Sequence, residues 1–64
     1  MATVEVEFSD GRIRYLYFGT NELHIGYIFS YWKNEILDNS VNFEIAEISE
    51  DKTYIFVDLF KKNG

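Results

Sequence analysis

The stretch Asn21-Glu22-Leu23-His24-Ile25-Gly26-Tyr27-Ile28-Phe29-Ser30-Tyr31-Trp32-Lys33-Asn34-Glu35-Ile36-Leu37-Asp38-Asn39 decides the fold, because it reads in two ways. At 100° per residue, Ile25, Ile28, Phe29, Trp32 and Ile36 fall on one stripe, as an amphipathic helix requires. Thr20 or Asn21 can cap its start, and Asp38-Asn39-Ser40 suits its exit. Two features oppose the helix. Gly26 inside it costs about 1 kcal/mol relative to alanine. Tyr27 to Trp32 is also rich in aromatic and β-branched residues, which suit a strand. The stripe favours a helix from Asn21 to about Asn39, with an all-β barrel as the alternative.

The flanks read as strands. Val4-Glu5-Val6-Glu7-Phe8 alternates apolar and polar. Asp10-Gly11 then signals a two-residue type I′ hairpin loop, since glycine and aspartate tolerate positive φ. Ile13 to Phe18 is the return strand. This loop places Val4, Val6, Phe8, Ile13, Tyr15 and Tyr17 on one face, and sets Glu7 against Arg14 on the other. Val41 to about Ile48 reads as a further strand. A polar turn at Ser49-Glu50-Asp51-Lys52 follows, and then Thr53 to Phe60, which is apolar on both faces except at Asp58. A three-residue loop from Glu50 to Lys52 pairs Phe43 with Leu59, Ile45 with Val57 and, unfavourably, Glu44 with Asp58; a two- or four-residue loop instead pairs Ile45 with Phe56. Lys61 to Gly64 reads as a frayed tail.

The expected fold is therefore α+β, in the order ββαββ. A four-stranded, mostly antiparallel sheet carries one helix on one face, with the two terminal strands adjacent at its centre. In order and length this layout resembles the β-grasp immunoglobulin-binding domains of bacteria. No sequence motif accompanies that likeness, and a shared layout does not carry function.

Composition bounds the function. The chain has 64 residues, no cysteine and a formal net charge of −5, with 47% hydrophobic and 19% aromatic residues. These values describe one small globular domain without disulfides. Net negative charge disfavours nucleic acid and anionic membranes, which select basic surfaces. Neither a signal peptide nor a membrane span is visible in the sequence, so a cytoplasmic setting is expected.

No catalytic, metal or cofactor motif stands out. His24 is the sole histidine, the glycines lack phosphate-loop spacing, and the serines suit turns. Glu47, Glu50 and Asp51 cluster at a turn without the spacing of a calcium loop. An enzyme is not expected.

The informative feature is a surplus of apolar surface. One helix covers one sheet face, which leaves Leu16, Phe18, Tyr54, Phe56 and Phe60 on the other, bordered by Glu5, Glu7 and Asp58. Patches of that size mark interfaces. Leu23, Tyr27 and Tyr31 form a second, weaker stripe on the expected helix. Aromatic anchors with an acidic rim suit a protein partner with a basic groove. The expected function is a non-catalytic binding module, a small acidic inhibitor of the kind phages direct against host defence. A homodimer packed sheet to sheet is the alternative, and a metal protein or enzyme a distant third.

Overall fold

The computed structural model describes residues 2–62. They form five strands: β1 (Ala2–Phe8), β2 (Ile13–Phe18), β3 (Ile28–Asn34), β4 (Asn39–Ile48) and β5 (Tyr54–Leu59). The strands make one sheet in the order β2-β1-β5-β4-β3, curled into a half-barrel. The pairing of β1 with β5 is parallel and the other three pairings are antiparallel. The terminal strands are neighbours at the sheet centre, as expected. Of the expected tail, Asn63 and Gly64 lie outside the described residues.

The α+β class and the ββαββ order are overturned, and with them the four-stranded sheet and the β-grasp layout. The all-β alternative has the right class, although the sheet is a half-barrel and not a closed barrel. The helix-start signal at Thr20–Glu22 yields a single 3-10 turn. Gly26 then adopts φ +91°, which is not helical. Its N–H donates to the Ile45 carbonyl, and the Ile45 N–H donates to the Tyr27 carbonyl, so the β3–β4 ladder begins at this point. The reason is side-chain direction. In a helix, Phe29 points away from Tyr27 and Tyr31; in a strand all three share a face. Here all three pack against the core. The supposed helical stripe is dispersed instead, with Ile25 61%, Ile28 40%, Trp32 41% and Ile36 93% exposed.

The first hairpin differs from expectation by one residue. The Gly11 N–H donates to the Phe8 carbonyl (2.9 Å) and the Phe8 N–H to the Arg12 carbonyl (2.8 Å). Gly11 has φ +97°, while Asp10 is not among the residues with positive φ. A type I′ turn needs positive φ at both, so this is a three-residue loop with a glycine bulge. The register becomes Val4↔Leu16, Val6↔Arg14 and Glu7↔Ile13. A one-residue shift exchanges the faces. Leu16 and Phe18 turn inward beside Val4, Val6 and Phe8, while Ile13, Tyr15 and Tyr17 turn outward.

The second hairpin keeps its expected pairs, Phe43↔Leu59, Glu44↔Asp58 and Ile45↔Val57. They arise differently. Ser49 pairs with Tyr54 across a four-residue loop, Glu50 to Thr53, and a bulge at Ala46 restores the register.

The core is Val4, Val6, Phe8, Phe18, Leu23, Phe43, Ile45, Ile55 and Val57. Edge strands β2 and β3 share no backbone ladder. Rings from both sides of the sheet meet between them. Phe8 stacks on Tyr31 (5.1 Å) and meets Phe43 edge-on (4.9 Å), and Phe18 meets Phe29 edge-on (5.2 Å). Each such pair adds about 0.5–1.5 kcal/mol beyond its buried area.

The register is testable by substitution. Leu16→Ala removes half-buried apolar contact and lowers unfolding free energy in urea by about 1–2 kcal/mol. Tyr15→Ala, on the exposed face, changes it by less than about 0.5 kcal/mol. The reverse ranking would restore the two-residue loop.

Candidate functional site

The half-barrel has an inner and an outer face, and they differ in chemistry. The inner face ends in a polar seal across the gap between β2 and β3. The Arg14 guanidinium donates to both Glu35 carboxylate oxygens, at 2.6 and 2.9 Å. The Tyr31 hydroxyl donates to Glu35 at 3.1 Å. Arg12 lies over the Phe8 ring, 4.7 Å from its centroid, with Tyr31 at 5.7 Å and Phe43 at 6.0 Å. Both Arg12 Nη atoms are buried without a hydrogen-bond partner. The aromatic ring faces stand in for those missing acceptors, and Arg12 Nε reaches Asp10 at 2.8 Å. These groups join the two edges, and Asp10, Arg12 and Glu35 also line an open surface hollow with Lys33, Asn34 and Ile36. They are structural.

The outer face follows from the strand register, because opposed residues share a face. Tyr15, Glu5 and Tyr54 lie in one row; Ile13, Glu7, Phe56 and Glu47 lie in the next. Asp58, Glu44 and Ile28 form a third. Apolar groups and carboxylates alternate from strand to strand in the first two rows, while in the third Asp58 and Glu44 are direct neighbours. Five acidic residues (Glu5, Glu7, Glu44, Glu47 and Asp58) stand here, while the outward positions of β1, β2, β4 and β5 hold no lysine or arginine. Tyr54 measures the local field. Its hydroxyl donates to Glu7 Oε1 at 2.8 Å. That hydrogen bond raises its pKa, and so do partial burial and the charges of Glu7, Glu47 and Glu5.

The residues expected to form the partner surface divide between the two faces. Glu5, Glu7, Tyr54, Phe56 and Asp58 stand together on the outer face. Phe60 lies one residue beyond β5, half-buried, its N–H donating to the Asn42 carbonyl. Leu16 and Phe18 turn inward, and Phe18 is 4% exposed. The second stripe is not a surface either. Leu23 is in the core, and Tyr27 and Tyr31 pack against it. Ile13, Tyr15 and Tyr17 were missed, and they are 47%, 69% and 73% exposed. The signal for them was Gly11, which permits a bulged loop as readily as a type I′ turn.

Elsewhere the polar groups serve local structure. Ser49 Oγ and the Thr53 hydroxyl donate to Asp51 Oδ1, each at 2.8 Å. Those bonds hold the Asp51 carboxyl below its usual pKa. Glu22 accepts from the Gly19 N–H (2.6 Å) and the Tyr27 hydroxyl (2.8 Å), tying the 3-10 turn to the start of β3. His24 is exposed; its ring contacts the carbonyl of Ile25 and meets Tyr27 edge-on at 5.6 Å. Among the described residues, no three histidine or carboxylate groups converge as a metal site would need. No helix there is long and apolar enough to cross a membrane.

Comparison with protein-family models, curated proteins and solved structures finds no match.

The seal gives a pH prediction. Glu35 has a lowered pKa, first through its hydrogen bond from Arg14, against a partial offset from burial. A carboxylate whose folded pKa is depressed stabilises the fold above its unfolded pKa, and that contribution is lost as pH falls through the folded value. Glu35→Gln should therefore lower Tm at neutral pH and flatten its fall below the usual carboxylate range near 4.5. Thermal melts of both chains from neutral to strongly acid pH check this. Parallel Tm curves would show that the ion pair contributes nothing.

Proposed function

We propose that this chain is a non-catalytic protein-binding module, a small acidic inhibitor or antagonist acting in the cytoplasm. It docks by the outer face of its sheet onto a basic groove of another protein. One observation carries the reading: five carboxylates share that face with Ile13, Tyr15, Tyr54 and Phe56 without an interposed cation. Exposed tyrosine and phenylalanine supply contact area at low entropic cost. The carboxylates steer a cationic surface into place and repel nucleic acid. Such a face suits competition with an anionic substrate for a basic cleft. The sheet is a rigid frame for it, since every outward residue here stands on a strand flanked by backbone pairs or on edge strand β2.

The test uses charge reversal at exposed or half-exposed positions. The immobilised chain should retain from its native lysate a protein of basic isoelectric point, released as salt approaches the molar range where screening is complete. Glu5→Lys with Glu47→Lys should abolish retention while circular dichroism and Tm stay near wild type. Equal retention by the charge-reversed chain, or a salt-insensitive complex, would refute docking by this face.

A further inference from the structure

We infer that β2 is a self-pairing edge, through which two copies of this chain join their sheets side by side. The phase of the β1–β2 ladder is set by the Phe8 N–H donating to the Arg12 carbonyl. Arg12, Arg14 and Leu16 therefore turn their backbone groups toward β1, and Ile13, Tyr15 and Tyr17 turn theirs away from the sheet. Arg14 Nη1 donates to the Ile13 carbonyl at 2.8 Å. The Ile13 N–H and both backbone groups of Tyr15 and Tyr17 face outward, and β1 is the one strand paired with β2 among the described residues.

Proteins usually guard such an edge with charge, proline or a bulge. The other edge of this sheet is guarded. β3 carries Lys33 and a register break between Trp32 and Asn34. β2 has no proline, lysine or register break, and its one charge at this edge, the Arg14 guanidinium, turns inward to Glu35 and covers only the Ile13 carbonyl. Its outward side chains are Ile13, Tyr15 and Tyr17, all large and exposed.

A second copy fits this edge by symmetry. With a two-fold axis at Tyr15, the two Tyr15 residues exchange two backbone hydrogen bonds. Each Ile13 N–H reaches the Tyr17 carbonyl of the other copy, giving four bonds and leaving the Ile13 carbonyl to Arg14. On the outer face Tyr15 lies beside Tyr15 of the second copy, and Ile13 beside its Tyr17. On the inner side Arg14 meets Leu16. No like charges are opposed. Packing two outer faces together would instead set Glu5, Glu7, Glu44, Glu47 and Asp58 against the same five carboxylates, which is unfavourable. Charge thus selects the edge over the face for self-association. The product is a continuous ten-stranded sheet, twice the five of one chain, and it leaves both acidic outer faces open. The inference therefore stands with or without a heterologous partner.

The test is sedimentation of the free chain over a wide concentration range, with hydrogen exchange of individual amides. A monomer–dimer equilibrium is expected, and the Ile13 and Tyr15 amides should become protected as concentration rises. Tyr15→Pro removes an N–H that does not face β1, and Tyr15→Lys adds an edge charge; each should weaken the dimer about tenfold or more. Circular dichroism and Tm at low concentration verify that a variant is folded, and either folded variant suffices. A chain that stays monomeric at near-millimolar concentration overturns the inference. So does a dimer unchanged in folded Tyr15→Lys, or one broken by Phe56→Lys alone.

Discussion

A sheet of five strands has two edges, and an inner face this apolar must be kept from water at both. In this chain no backbone ladder joins β2 to β3. Closure falls to side chains: Phe8 and Phe18 from one half of the sheet against Phe29, Tyr31 and Phe43 from the other, with Arg12, Arg14 and Glu35 above them. Glu35 satisfies Arg14 and lies 3.7 Å from Arg12 Nη1. The Arg12 Nη atoms form no hydrogen bond, and aromatic ring faces offset that loss. A 64-residue chain without disulfides has little stability to spare. Both ends of the long aromatic segment are accordingly tied, at Glu22 to Tyr27 and at Glu35 to Tyr31.

Gathering most of the apolar surplus inside the curl determines what the outside can be. The aromatic rings that would make a greasy second face go largely inward. What stays outward is a mixture of tyrosines, isoleucines, Trp32, a half-buried phenylalanine and carboxylates. Such a surface stays hydrated alone yet has anchors and charge to offer a cationic partner. The same charge works against face-to-face pairing of identical copies, so any self-association is directed to the backbone of β2.

Much of the strand layout was legible. The alternation of Val4 to Phe8, the turn at Ser49 to Lys52 and the adjacency of the terminal strands all follow from pattern and turn chemistry. Two things were hidden. Tyr27 and Tyr31 are four residues apart, a spacing that shares a face in a helix and in a strand alike, so they could not discriminate. Phe29 could: only a strand lets it join them, and the partners that reward this, Phe18 and Phe43, lie far away in sequence. The second was Gly11. Asp-Gly fits a two-residue loop, but a glycine bulge adds one residue and turns β2 over. That single residue moved Leu16 and Phe18 inside and Ile13, Tyr15 and Tyr17 outside. Half of the candidate face, Glu5, Glu7, Tyr54, Phe56 and Asp58, was legible because it depends on β1 and β5, not on that loop.

The central claim is that residues 20–39 enter the sheet through a left-handed glycine and not as a helix. Gly26 decides it. A Cβ there would come no nearer than 3.9 Å to Glu44, so crowding is not at issue and backbone conformation alone sets the effect. At φ +91° an alanine is strained, and Gly26→Ala should lower the unfolding free energy by about 1–2 kcal/mol in urea titration. In a helix the same substitution would raise it by about 1 kcal/mol. A more stable Gly26→Ala chain would contradict the fold described here.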